Sequence, residues 1–219
     1  MIGESIEKSL TEQIYRMIRN DIIRQKIKCG QKINFQELKN RFEVSHTPLR
    51  EALKRLLQEG LVEYYPNTGY RVIKIGKKDI SEIIDLCSAL DCAAIKLAME
   101  KENRDQLVAD VKKHLEGHIN SFQENNEEEL LFHIDEFHKV FYRYANNSRL
   151  SHMALQIEGQ LNIIIAKFHF IQNSKENGIA EHKLIYQAVE ELDVNKAISM
   201  MEYHWSNTKK LLLDNIQEE

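Results

Sequence analysis

Near position 50 the chain sets Ser45, His46, Thr47 and Arg50 within two turns of what reads as one helix start. Hydroxyls, an imidazole and a guanidinium at a helix N-terminus form a donor set for phosphate oxygens, helped by the positive end of the helix dipole. Arg50 can also reach a guanine edge through two parallel hydrogen bonds. The second chemical resource is imidazole. Of nine histidines, eight lie after residue 76, in a stretch rich in Asp and Glu. Neutral imidazoles suit zinc or nickel, although a lone helical histidine is more often solvated or satisfied in a core. After residue 76 no Glu-x-x-His pair occurs, and the chain has no HExxH, glycine-rich phosphate loop or nucleophile–base arrangement, so the common enzyme signatures are missing.

Elements must carry these residues. Leu10, Ile14, Met17, Ile18, Ile22 and Ile27 recur at helical spacing, with Gly30 placed to end that helix. Asn34 can cap a short second helix, with Glu37 as its capping-box partner and Leu38 and Phe42 facing the core. A third helix starts with Thr47 as N-cap and Pro48 in the first turn, where a missing N–H costs nothing. Leu49, Leu53, Leu56 and Leu57 form its buried stripe and Gly60 ends it. LVEYY and YRVIK then read as strands joined by Pro66-Asn67-Thr68-Gly69, a hairpin turn sequence whose tip glycine lets backbone approach a phosphate or sugar.

From Lys78 onward the pattern is amphipathic helix after helix, over about 79–100, 104–124, 127–145, 149–172, 179–192 and 195–214. Asp79, Asn126, Ser148 and Asp193 stand at or near N-cap positions. Six such helices with short joints make a bundle able to enclose a small-molecule cavity. The acidic run Glu124–Glu129 reads as a solvated loop and helix start.

Charge divides at the same place. Residues 1–75 hold 14 Lys and Arg against 9 Asp and Glu, a balance of +5; the rest hold 16 against 25, a balance of −9. A basic front and an acidic rear are compatible with nucleic-acid binding despite the overall −4. We therefore expect two domains, 1–75 and 76–219. Both prolines fall in the first, and the low proline and glycine content excludes an all-β architecture. Hydrophobic residues at 42% and charged residues at 29% fit a globular chain. No apolar run approaches ~18 residues, so no membrane span is expected. The charged start lacks the apolar core of a signal peptide, and Cys29, Cys87 and Cys92 form no CxxC pair, which points to the cytoplasm.

Helix, helix, short turn, helix, hairpin is the order of a winged helix-turn-helix. The run VSxTPxREALxxLxxEGLV followed by PNxG, here Val44–Val62 and Pro66–Gly69, resembles the GntR group of bacterial transcription regulators. The resemblance implies that Gln36, Ser45, His46, Thr47, Arg50, Asn67 and Gly69 bind DNA. The chain departs from the family at His46, usually Arg, and at Gln36, often basic, which implies a different operator sequence.

Residues 79–214 are similar to the FCD ligand-binding domain of the FadR-like subfamily, through Phe137-His138, Asn147-x-x-Leu150, Glu181-His182 and His204. In that family an Asp and three His hold a metal ion inside the bundle, and His138, His182 and His204 fall on the histidine positions. The family Asp would stand where this chain has Ile134. Asp135, three residues before His138, lies about 60° from the ideal stack and could reach the same ion; His133, about 140° around the helix, is poorer placed. His114, His118, His152 and His169 are assigned to surface or structural roles. An Arg that often faces the effector pocket is replaced by Cys87, which reads as a small packing residue.

The expectation is a homodimeric, sequence-specific transcription repressor. It binds a double-stranded DNA operator, and its affinity is set by a small organic acid or sugar acid held with a divalent metal, zinc or nickel, in the rear domain. Two heads on a two-fold axis would read a pseudo-palindrome. The competing reading is a metal-dependent helical-bundle enzyme with an accessory head.

Overall fold

A computed structural model describes the backbone of residues 9–168 and 172–215, with side chains described outside 167–175. The chain divides into two compact units. One is Met1–Ile75 with Gln156–Lys167; the other is Gly76–Leu155 with Phe168–Glu219.

The first unit opens with α1 (Leu10–Ile23), α2 (Phe35–Phe42) and α3 (His46–Gln58), followed by β1 (Val62–Tyr65) and β2 (Gly69–Val72). Ile14, Ile18 and Ile22 of α1 meet Leu49, Leu53 and Leu56 of α3 in a core from which water is excluded. Burial of such side chains contributes roughly 1.5–3 kcal/mol each. The buried stripe is narrower than the sequence pattern implies: Leu10, Met17 and Leu57 face outward. Polar bonds clamp the same two helices. Arg55 reaches Glu12 at 2.5 Å and lies 3.9 Å over the Tyr15 ring, whose hydroxyl donates to Glu59 at 2.5 Å.

Two expected helix ends move. α1 stops at Ile23, because Gln25 adopts a left-handed backbone and the Ile27 N–H folds back onto Asp21 O. Gly30 is therefore not its cap. Instead Gly30 donates to Val72 O and Ile73 O, beginning a short stretch in which Lys32 bridges Arg71 along the hairpin edge. At α3 the N-cap is Ser45, not Thr47, and the extended Ser45 backbone feeds the helix without a side-chain cap bond. Thr47 and Pro48 thus both sit inside the first turn, where orphan N–H groups make proline harmless. Asn34 caps α2 as expected, accepting from the Gln36 and Glu37 N–H groups.

β1 and β2 pair antiparallel, Val62 opposite Val72 and Tyr64 opposite Tyr70. Val62 and Val72 are buried, while Tyr64, nearer the hairpin tip, is exposed with its ring against Tyr70. In the same unit, Gly159 takes up the Leu61 side chain; a Cβ there would fall 2.9 Å from Leu61 Cδ2.

The second unit comprises α4 (Lys77–Met99), α5 (Arg104–Gln123), α6 (Glu127–Ala145), the start of α7 (Ser148–Phe168), α8 (Gln172–Glu190) and α9 (Val194–Asn215). α4 packs on α6 and α9, α5 on α6 and α8, and α8 on α9, so these five helices close a ring about a common core. Phe137 and Phe141 are its largest buried side chains. Asn126 caps α6, and Asp193 caps α9 by accepting from Lys196 N at 2.9 Å. Two other caps differ by a residue or more. Gly76 is the cap of α4, with the Asp79 carboxylate accepting from its N–H at 2.8 Å. At α7 the side chain of Asn147 accepts from Leu150 N, and Ser148 is already helical. α8 begins at Gln172 rather than near 179: its polar first turns read as a loop in sequence but continue the helix through Gly178.

Candidate nucleic-acid interface and candidate metal centre

The first turn of α3 presents His46, Thr47 and Arg50 to solvent, with Ser45 just before it. Among the described residues no acid pairs with Arg50, although Lys54 one turn on pairs with Glu51 at 2.7 Å. The His46 ring stacks on Phe35, centroids 5.0 Å apart at 14°, which holds it against the start of α2. Beside α3 an open groove of ≈ 920 Å³ runs between the α2 start and the hairpin, lined by Gln36, Arg50, Lys54, Tyr64 and Gly69 among others. Three of the seven residues implicated by sequence, Gln36, Arg50 and Gly69, therefore share one groove. Ser45, His46 and Thr47 stand at the helix tip and Asn67 at the hairpin tip, where its φ is +64°. Gln36 Nε2 donates to Asn40 Oδ1 at 2.9 Å.

The hairpin carries cations that sequence reasoning missed. Lys32, Arg71 and Lys74 line a second hollow of ≈ 440 Å³ with Gly69. The antiparallel bridge between Lys32 and Arg71 brings together residues far apart in the chain. Arg71 is held by donating from Nη1 to Gly30 O at 2.6 Å.

In the second unit, His138 (α6), His182 (α8) and His204 (α9) come together, with one ring nitrogen from each within 4.8 Å of the others. Ring centroids are 4.9–5.3 Å apart, a nearly equilateral triangle. Each ring is gripped through Nδ1. His138 Nδ1 meets Asp91 Oδ2 at 2.7 Å, and His204 Nδ1 meets Glu181 Oε2 at 2.7 Å. His182 Nδ1 meets His118 Nδ1 at 3.2 Å, while its ring stacks on Phe137, centroids 4.1 Å apart at 6°. With Nδ1 occupied three times over, Nε2 is the nitrogen left to point at a common guest. His182 Nε2 is buried without a hydrogen-bond partner, the kind of atom that requires an explanation such as an ion.

Asp135 is not in this group. Its carboxylate pairs with Lys139 Nζ at 2.6 Å, and its side chain is 42% exposed. The 60° offset along α6 is enough to carry it to the helix edge. The carboxylate that serves His138 is Asp91, which also accepts from Tyr142 at 2.6 Å and Trp205 at 2.9 Å. Asn207 steadies Glu181 in the same way, at 2.7 Å.

Burial favours the neutral form of His182, His204 and His118, and the neutral imidazole is the form that ligates. His182 is pushed well below its ordinary range by burial and then by its histidine neighbours. His204 is lowered by burial against the opposing pull of Glu181. His118 is pushed down to about 4, chiefly by burial. Burial and the nearby Asp91 carboxylate raise the Tyr142 hydroxyl, so it stays a donor.

Of the four histidines assigned to surface or structural roles, two lie inside the bundle. His118 is buried against His182, and His114 is buried with its Nδ1 3.2 Å from His133 Nδ1. His152 is exposed and His169 lies outside the described residues. Helical arithmetic holds the missed signal. Ile80, Ile84, Cys87, Asp91, Ala94 and Ala98 step by four and three along α4, and Leu107, Val111, His114 and His118 do so along α5. A polar side chain on such a stripe must meet a partner inside. Cys87 is buried on the first of these, as a packing residue.

Residues 10–72 match the bacterial regulatory proteins of the gntR family, and residues 82–207 match the FCD domain. Over 200 residues the chain is 28% identical to the HTH-type transcriptional repressor GlaR of Escherichia coli K12, covering 87% of this chain and 90% of that protein. It is 31% identical over 131 residues to the gluconate operon transcriptional repressor of Bacillus licheniformis, covering 60% and 53%. Among solved structures it resembles E. coli McbR/YncC, with TM-score 0.77, 21% identity and 95% and 99% of the two chains covered. A putative GntR regulator from Rhodococcus sp. RHA1 gives TM-score 0.79 at 16% identity, covering 96% and 100%. At those identities the structural likeness speaks for the fold alone. The match through the α3 signature and across the histidine-bearing bundle places this chain in the GntR family, as a DNA-binding transcription regulator with an FCD domain and not an enzyme.

Proposed function

We propose that the protein is a cytoplasmic, homodimeric repressor. Its α3 tip and hairpin read a double-stranded operator, and its second unit senses a small organic acid or sugar acid together with zinc or nickel. The observation that carries the sensing half is the triangle of His138, His182 and His204, one ring nitrogen of each within 4.8 Å of the others and each Nδ1 in contact with a buried partner. These three residues fit a borderline divalent ion as neutral nitrogen ligands. Asp91 and Glu181 supply the outer carboxylates that such ligands use for orientation. Bound there, the ion supplies a Lewis-acidic centre with positions left for an effector carboxylate. The reading half rests on Arg50, exposed at the mouth of a groove shared with Gln36 and Gly69. Repression is the activity named for the relatives GlaR and the gluconate operon repressor. A dimer doubles a short half-site into a palindrome, and an effector works by binding the operator-competent and operator-incompetent states with different affinity.

The test is fluorescence anisotropy with duplexes selected from random sequence, using untagged protein, with and without zinc and a panel of small carboxylates. A selected palindrome bound far more tightly than scrambled duplex, and released by one acid, is the expected result. Equal binding to all duplexes, governed by salt alone, overturns the reading role. For the metal, elemental analysis should find stoichiometric zinc or nickel in wild type and none in His138→Ala/His182→Ala. Full retention by the double variant removes the site.

A further inference from the structure

Two of the three clustered imidazoles lean on carboxylates, but the third does not. A carboxylate can only accept from a ring N–H, so Asp91 and Glu181 place the proton of His138 and His204 on Nδ1 and leave the lone pair on Nε2. For His182 the outer partner is His118 of α5, 1% exposed, at 3.2 Å between Nδ1 atoms. Two neutral imidazoles in that contact share one N–H between them, because two Nδ1–H groups clash and two lone pairs repel. The pair therefore has two states. In one, His118 donates and His182 carries its proton on Nε2, facing the cluster and unable to ligate. In the other, His182 donates to His118, freeing its own Nε2 lone pair and leaving an N–H on the buried, unpartnered Nε2 of His118.

From this juxtaposition we infer that His118 is a positioning residue for the metal centre: it accepts the Nδ1 proton of His182, and only then does His182 become a ligand. The inference rests on the metal reading above. It assigns a role to a residue outside the ligating triangle. The pair holds two protons in both states: the proton between the rings passes from His118 to His182, His182 gives up its Nε2 proton to water, and His118 takes one from water on Nε2. Phe137, stacked on His182, fixes the ring plane in which this happens.

The test uses full-length protein stripped of metal and titrated with zinc alone. His118→Phe, which keeps a ring but no acceptor, should weaken zinc binding about 10–100-fold in a chelator competition. His118→Asn, whose amide oxygen can occupy the Nδ1 position, should recover most of that loss. Nitrogen-15 imidazole spectra of wild type give a readout independent of any variant. With zinc, His182 should show a protonated Nδ1 and a ligated Nε2, and His118 should be protonated on Nε2. Wild-type affinity in His118→Phe, or a zinc-loaded His182 without a proton on Nδ1, overturns the inference. If wild-type protein takes up no zinc, the metal reading fails instead. The metal-free spectrum then still decides the pair: both rings protonated on Nε2 would refute the shared proton.

Discussion

The α3 tip and the histidine triangle are both made of imidazoles and polar groups, yet they are built on opposite rules. Ser45, His46, Thr47 and Arg50 are exposed, and the Ser45 hydroxyl makes no cap bond. The triangle is walled in. His182 and His204 are buried, and every Nδ1 has a partner within 3.2 Å. An exposed donor is satisfied by water until a ligand replaces it, so its neighbours need not be specified. A buried imidazole pays for desolvation unless another side chain answers it, so each ligand brings a second residue with it.

That contrast can be broken first by pH. In metal-free protein the burial of His118 holds its folded-state value near 4, below the ordinary 6.5. Above 6.5 the ring is neutral whether folded or not, and its contribution is fully present. Between 6.5 and 4 the unfolded chain takes up a proton that the folded ring refuses, so stability falls with falling pH, by about 3 kcal/mol over the window. His182 shifts the same way. Urea unfolding at pH 7 and at pH 4.5 checks this, and zinc at pH 7 should stabilise the fold by mass action. Equal stability at both pH values would mean that the cluster is wetter than its packing indicates.

The exposed region should behave differently. Arg50→Ala should leave the melting temperature unchanged within error and weaken operator binding by about 1–3 kcal/mol, relaxing base preference at one position. Anisotropy with the selected duplex and its single-base variants measures both. A smaller effect sharpens the comparison at the hairpin. Gly69 has φ +89° with open space around it, so Gly69→Ala should lose about 1 kcal/mol of stability through backbone strain and not through a clash. A variant as stable as wild type would show that the hairpin tip relaxes freely.

Legibility followed the same division. The DNA-reading head was readable because its turn chemistry is local: Asn34 caps α2, the Pro66–Gly69 run turns the hairpin, and leucines at three- and four-residue steps bury one face of α3. What was misplaced there, the Ser45 cap and the α1 end at Ile23, lies within about two turns of the expected position. In the bundle, His138, His182 and His204 were marked by resemblance, whereas Asp91, Glu181 and His118 were not given their roles. Asp135 looked suitable from spacing along one helix, but its partner is Lys139.

Periodicity along the chain was sufficient to specify helices, a hairpin and the basic and acidic halves, because those depend on neighbours a turn or a residue away. Which carboxylate or imidazole backs each histidine depends on side chains 23, 47 and 64 positions off, brought together when α4, α5, α6, α8 and α9 pack. Hydrogen bonds act over about 3 Å and carry no trace of separation along the backbone, so those partnerships exist only once the bundle has closed.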